Sequence, residues 1–277
     1  MAVYDVNGTD ISLVYDVNGN LLSQAYDINQ NELLYRNIVV MSYNVQWFTG
    51  INSNSTLQSE IFAAYEPDII GFQEFQKHNI SGIPALATQL LSNDYPYISM
   101  GNYGNKNAMA SKYELKNFIT IPHTTQTMDG QSYSTATVTI DNKDIFIVVS
   151  HVTTSDYEAA KVEQVGEIFT ALQGHEYFIL MADFNTVCKS VNDPEYTTIM
   201  KQFVDACYHV GNCSLQHGFI DTWTSGTTAN GTWYPCDNII TSSNIIMNNV
   251  IADQRKVEAH TGQSIDHLAF VAYLTIT

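Results

Sequence analysis

Asn44, Glu74, His151, Asp183 with Asn185, and Asp266 with His267 each close an apolar run or follow one directly. A single aspartate or histidine in such a place is ordinarily a hydrogen-bonded structural group. Five such places in one chain form a pattern. If their strands end at one sheet edge, they gather carboxylates, carboxamides and two imidazoles around a common point. Together those groups can hold a divalent cation, take a proton from water and donate hydrogen bonds to oxygens that gain charge, as hydrolysis of a phosphodiester requires. The stretch Phe178-Ile-Leu-Met-Ala-Asp183-Phe-Asn185 is the sharpest instance: an apolar run that stops at a carboxylate, with a carboxamide two residues on. On an extended backbone Asp183 and Asn185 face the same side and offer an acceptor and a donor to one reacting group. Read alone, Asp-Phe-Asn is a strand-ending turn.

Positioning these groups takes buried strands, and the apolar runs supply them. Residues 38–45 and 68–74 read as strands carrying Asn44 and Glu74, with a helix over 55–65 between them, closed by Pro67. A helix is expected over 83–91, and a strand with its turn over 107–113. Residues 135–140 alternate and meet 144–151 across Asp141-Asn-Lys, a hairpin whose second strand ends in His151. A helix over 156–172 precedes the strand of Asp183, and another is expected over 192–208. The runs 233–240 and 262–271 complete the set. Strands interleaved with helices and joined in places by hairpins predict an α/β protein with mixed sheets.

With 277 residues, 45% of them hydrophobic and 17 tyrosines and 12 phenylalanines among them, the chain can fill a large core. Its 11 basic against 28 acidic side chains give a formal charge of -17, which repels nucleic acid and anionic membranes in general. Arg36 and Arg255 are the two arginines. A chain so poor in cations can handle phosphates only with positive charge from elsewhere, and a metal ion held by carboxylates supplies it. A high-affinity DNA-binding module is thereby disfavoured, whereas a metal-dependent enzyme is not. No apolar run has membrane-spanning length, and the start Met-Ala-Val-Tyr-Asp lacks the features of a signal peptide. Cys188, Cys207, Cys213 and Cys236 show no Cys-x-x-Cys metal spacing. Their even number predicts two disulfides, and with them an extracellular or virion-associated location.

Residues 3–30 repeat themselves: Val3-Tyr-Asp-Val-Asn-Gly8, Val14-Tyr-Asp-Val-Asn-Gly19 and Ala25-Tyr-Asp-Ile-Asn-Gln30, with tyrosines 11 residues apart. Such regularity marks stacked short strands rather than a catalytic core. We therefore expect an N-terminal β-repeat module over 1–36, able to attach the chain to a larger assembly, and a catalytic domain over 37–277.

Ser42-Tyr43-Asn44-Val45, Gly71-Phe72-Gln73-Glu74, Ser150-His151, Ala182-Asp183-Phe184-Asn185, Asp237-Asn238-Ile239-Ile240 and Ile265-Asp266-His267 resemble, in order, the signature motifs of the endonuclease/exonuclease/phosphatase family. The resemblance spans about residues 38–277 and implies a four-layer α/β sandwich of two packed mixed β-sheets flanked by helices. It implies Mg²⁺ as cofactor, with Mn²⁺ as a substitute and Ca²⁺ as a further structural ion. Glu74 resembles the main metal ligand, with Asn44 and Asp266 beside it. His267 resembles the histidine held by Asp237, Asp183 and Asn185 the residues that orient water and hold the phosphate, and His151 a second phosphate-contacting group. Asn44 stands near enough in that scheme to contact substrate too. The placement of Cys188 and Cys236 is similar to a disulfide of DNase I, which leaves Cys207 and Cys213 to pair. These features imply a DNase I-like endonuclease of little sequence preference acting on DNA. A sphingomyelinase-like phospholipase and a virion-associated structural protein with a vestigial site are the alternatives.

Overall fold

In a computed structural model of the chain, residues 36–48, 55–77, 80–91, 93–127, 130–154, 157–224, 233–255 and 266–277 are described. The expected repeat module lies outside them, save for Arg36. The first half of the chain runs β1 (Arg36–Asn44), α1 (Ser55–Tyr65), β2 (Ile69–Gln76), α2 (Ala85–Leu91), β3 (Tyr97–Met100), β4 (Lys106–Ser111), β5 (Lys116–Pro122) and β6 (Ser132–Ile140). There follow β7 (Lys143–His151), α3 (Glu158–Leu172), β8 (Phe178–Asp183), α4 (Lys201–Asp205), β9 (His209–Val210), β10 (Trp223–Thr224), β11 (Trp233–Tyr234), β12 (Asp237–Thr241), β13 (Ile245–Ala252) and β14 (Phe270–Ile276).

The strands form two six-stranded mixed sheets, ordered β13-β14-β1-β2-β4-β3 and β5-β6-β7-β8-β12-β9, and β10 pairs with β11 apart from both. β1 shows why the apolar runs are continuous. Ile38 and Val40 face the second sheet, while Met41 and Tyr43 face α1 and α2. A strand buried on both faces loses the alternation that would otherwise mark it. Between the sheets, Ile38, Val40, Ile69 and Met109 meet Ile147, Val149, Ile179 and Met181. Outside the first sheet lie Ile61, Phe62, Ala87 and Leu91 of α1 and α2. Outside the second lie Val165, Ile168 and Leu172 of α3 and Phe203 of α4. The result is helices, sheet, sheet, helices, the four layers expected.

Two local features set where the sheets meet. Gly71 of β2 lies so close to the second sheet that a Cβ there would sit 2.7 Å from Val149 Cγ2 and 2.9 Å from Met181 Cβ. Two residues on, Gln73 Nε2 reaches across to the Met181 carbonyl at 3.3 Å. The β6–β7 hairpin turns on Asp141 and Asn142, both at positive φ (50° and 61°), the conformation that suits a tight turn between right-twisted strands.

The differences from the expected elements have physical causes. β5 is largely exposed along its length, and β13 mixes buried with exposed positions around Asn248 and Asn249, so no continuous apolar run announces either. The helix expected over 192–208 is a π-helical turn, Tyr196–Met200, leading into α4. The strand expected over 233–240 breaks into β11 and β12 at Pro235, which has no N–H for the ladder. The cysteines are free thiols in the structure. Cys236 Sγ turns to the Thr186 carbonyl at 3.2 Å, Cys188 faces Cys213 instead, and Cys207 is exposed while Cys213 is buried. The expected pairs 188–236 and 207–213 are therefore not formed. Alkylation of the unfolded, unreduced protein is expected to label four thiols; labelling of two or none would show bonds that this arrangement lacks. Among the described residues, no helix is long and apolar enough to cross a membrane.

α3 is tied to the β5 end of the second sheet by His123, whose Nδ1 lies 2.7 Å from Glu167 Oε2. Burial holds the His123 pKa down despite this carboxylate, and the pair is a neutral imidazole donating to an anion. Glu167 is held below its usual value: burial opposes this, but hydrogen bonds from Thr124 and His123 prevail. Both groups bind protons more tightly in the unfolded chain, so their stabilisation is present near neutrality and lost on acidification. It falls first as pH drops below 6.5, then below 4.5 as Glu167 titrates. The melting temperature of the parent should thus fall from pH 7 to pH 4 more steeply than that of His123→Gln, which removes the depressed imidazole and one of the bonds that hold Glu167 down. Parallel curves would contradict it.

Candidate active site

The polar residues singled out in the sequence lie at facing edges of two sheets, not along one edge as expected. β1 and β2 run parallel, β1 ending in Asn44 and β2 carrying Glu74 two residues before its end, and His267 precedes the antiparallel β14. Opposite them, β7 and β8 run parallel and end in His151 and Asp183, and the antiparallel β12 begins at Asp237. The register sets His151 beside Asp183 and Asp183 beside Asp237.

Asn44 joins the two edges. Its Nδ2 donates to Asp183 Oδ2 at 2.9 Å and to Glu74 Oε1 at 3.4 Å, while its Oδ1 accepts from the Gln46 N–H at 3.0 Å. As placed, Asn44 therefore presents donors to the site rather than the oxygen a metal would want. Glu74 owes its aim to an irregularity: the β2–β4 register shifts between Phe72 and Gln76, and Glu74 itself has φ 49°. Such a bulge re-aims one side chain at the cost of local strain. Burial lifts the Glu74 pKa, with Asp183 adding to the rise and the imidazoles of His151 and His267 opposing it. His151 Nε2 lies 3.7 Å from Glu74 Oε1 and 3.6 Å from Asp183 Oδ2.

His267 is buried, with Nδ1 2.9 Å from Asp237 Oδ2 and Nε2 3.5 Å from Asp183 Oδ2. Burial alone would depress its pKa, but the carboxylates of Asp237, Asp183 and Asp266 prevail and raise it to about 10. Asp237 is itself pushed up to about 6 by burial and by Asp183, against the pull of His267. The pair is thus an imidazolium beside a carboxylate at neutral pH. Asp237 holds Nδ1–H, which leaves Nε2 as the atom that exchanges protons with the site. Asp266 lies on the far side, its Oδ1 4.0 Å from His267 Nε2.

Asn185 departs from expectation. β8 stops at Asp183, and Asn185 turns to φ 50°, its N–H donating to Asp183 Oδ1 at 2.8 Å. Its Nδ2 donates to the Val152 carbonyl at 2.8 Å, next to His151. The turn that Asp-Phe-Asn encodes is therefore real, and the carboxamide reaches its neighbours through it.

Two supports carry no sequence signal of their own. Thr222 Oγ1 accepts the Asp237 N–H at 2.9 Å, and its carbonyl accepts the Leu268 N–H at 2.7 Å. Trp223 Nε1 donates to Asp266 Oδ2 at 2.8 Å, and its ring lies 6.3 Å from that of His267. Only their position just before a Gly- and Thr-rich stretch sets them apart in the sequence.

Two donor sets suit a cation. Ligand atoms of Asp183, Asp237 and His267 lie within 4.8 Å of one another. The Glu74 carboxylate, lifted by burial and close to Asp183, is short of positive charge and is the hard oxygen donor Mg²⁺ prefers. The donor chemistry thus fits a divalent metal.

The sequence model of the Endonuclease/Exonuclease/phosphatase family matches residues 41–267. No curated protein matches the chain by sequence. Solved structures do share its fold. Danio rerio TDP2 in complex with single-strand DNA product is 16% identical, with a TM-score of 0.64, over 86% of this chain and 99% of that one. A family protein from Bacteroides thetaiotaomicron is 11% identical, with a TM-score of 0.66, over 88% and 99%. The human Nocturnin catalytic domain with bound sulfate is 18% identical, with a TM-score of 0.62, over 87% and 94%.

Proposed function

Because the chain belongs to the endonuclease/exonuclease/phosphatase family, whose members are hydrolytic phosphoesterases, we propose that it is a Mg²⁺-dependent phosphodiesterase that cleaves DNA with little sequence preference. The observation that carries the reading is the His267–Asp237 pair at 2.9 Å, its free nitrogen aimed at Asp183, which Asn44 links to Glu74. The bound DNA product in the TDP2 structure supports DNA as the substrate class.

In this reading Glu74 holds the metal, with Asp266 as a further carboxylate and Asn44 bracing the shell. The metal's contribution is to offset charge on the phosphoryl oxygens. His267 accepts the proton of the attacking water at Nε2 while Asp237 keeps Nδ1–H and the ring's orientation. A base must be neutral. A cation held by Glu74 would oppose the carboxylates that raise His267 and so favour that form. Asp183 orients the water, and Asn185 and His151 contact the phosphate.

The test is a panel of plasmid DNA, RNA, sphingomyelin and inositol phosphates, each with Mg²⁺, Mn²⁺, Ca²⁺ or chelator. Chelator-sensitive nicking of the plasmid is the expected result. Turnover of sphingomyelin or inositol phosphates without nicking would replace DNA as the substrate, and an inert protein would overturn the reading.

A further inference from the structure

α3 packs Val165, Ile168 and Leu172 under the second sheet, yet at position 161 it carries a lysine with no exposed surface. Lysine is almost never so placed without a partner. Here Nζ donates to Glu195 Oε1 at 2.8 Å and to the backbone carbonyl of Asn185 at 2.7 Å. Glu195 Oε2 in turn accepts the Val187 N–H at 2.6 Å, and Glu195 stands at the start of the π-helical turn Tyr196–Met200. One buried ion pair therefore grips both ends of the segment 185–195.

That segment begins with Asn185, whose φ of 50° is unfavourable for a side-chain-bearing residue and persists only where its surroundings hold it. Asp183 Oδ1 holds its N–H, and Lys161 holds its carbonyl. If stability were the whole role, packed apolar side chains would serve as well or better, since buried ion pairs often lose more in desolvation than they gain. A charge spent on one peptide carbonyl beside the site argues for geometry instead.

We propose that Lys161 is the positioning residue of Asn185: its ammonium, held by Glu195, fixes the left-handed turn that sets the Asn185 carboxamide beside His151 and Asp183, and so governs turnover without touching substrate. The kinetic consequence rests on the phosphoesterase reading; the geometric one does not.

The test is the pair variant Lys161→Met/Glu195→Gln, which strands no buried charge and keeps an acceptor for the Val187 N–H. Its kcat should fall about 10- to 100-fold with KM within about threefold, the cost of a misplaced contact group. In an Asn185→Ala background the same changes should cost less than about twofold, because the group they act through is gone. Independently of activity, the Asn185 side-chain amide resonance, identified by its loss in Asn185→Ala, should shift and exchange faster in the pair variant. If the pair variant does not fold, Glu195→Gln alone is read the same way. Equal losses in both backgrounds, or an unmoved Asn185 amide in a folded variant, would overturn the proposal. A parent chain inert on every phosphoester would remove the phosphoesterase reading alone, and the amide resonance would still decide the role of Lys161.

Discussion

His267→Gln is expected to lower phosphodiester turnover about a thousandfold, within the range that a positioned general base contributes, while the protein still folds. The fold survives for an electrostatic reason. Asp237 is already pushed up to about 6 with His267 beside it. Without the imidazole it rises further, takes up a proton near neutrality and avoids being a stranded buried charge. The glutamine amide can also donate where Nδ1–H did. A companion variant fixes the direction of the pH dependence. Asp237 is the leading carboxylate that raises His267, so Asp237→Asn lowers the His267 pKa and lets the neutral base persist to lower pH. The acidic limb of kcat/KM should move down by more than about one pH unit. A His267→Gln enzyme within about tenfold of the parent, or a limb that moves upward, would take the pair out of the chemistry.

Glu74→Gln is expected to abolish metal-dependent turnover and, without added metal, to leave the melting temperature at pH 7 unchanged or higher. A carboxyl whose folded pKa is raised disfavours the native state once ionised, and that cost grows as pH rises above 4.5. Replacing it by an uncharged isostere removes the cost together with the ligand. Added Mg²⁺ should therefore raise the melting temperature of the parent, by mass action on the native state, and leave that of the variant unmoved. An equal Mg²⁺ response in both proteins would place the ion elsewhere, with the Asp183, Asp237 and His267 cluster as the alternative.

Much of this was legible in the sequence because a strand buried on both faces writes itself as an apolar run, and a polar residue ending the run is conspicuous. Asn44, His151 and Asp183 were found that way, and the structure ends β1, β7 and β8 at them. The division of those strands between two sheets was not legible, since pairing is a long-range property with no local mark. Exposed edge strands such as β5 carry little apolar signal. Period-two spacing fits Asp-Phe-Asn as well as a turn does, so the sequence leaves both conformations open for Asn185. Lys161 carries no mark in the sequence of being buried. Only the packing of α3 shows that it points inward.

β1 lies in its sheet between β2 and β14, paired along its length with a strand more than 200 residues later, Ser42 opposite Phe270 and Arg36 opposite Ile276. Joining partners so distant in the chain is slow, because the entropy of closing the loop is lost before the contacts form. During synthesis the second sheet can pair among neighbours while β1 still has one side unfilled. His267, just ahead of β14, reaches Asp183 and Asp237 only when that strand docks. The order of pairing thus ties the site to one docking event: until β14 joins β1, Asp183 and Asp237 stand in the second sheet without the imidazole of His267.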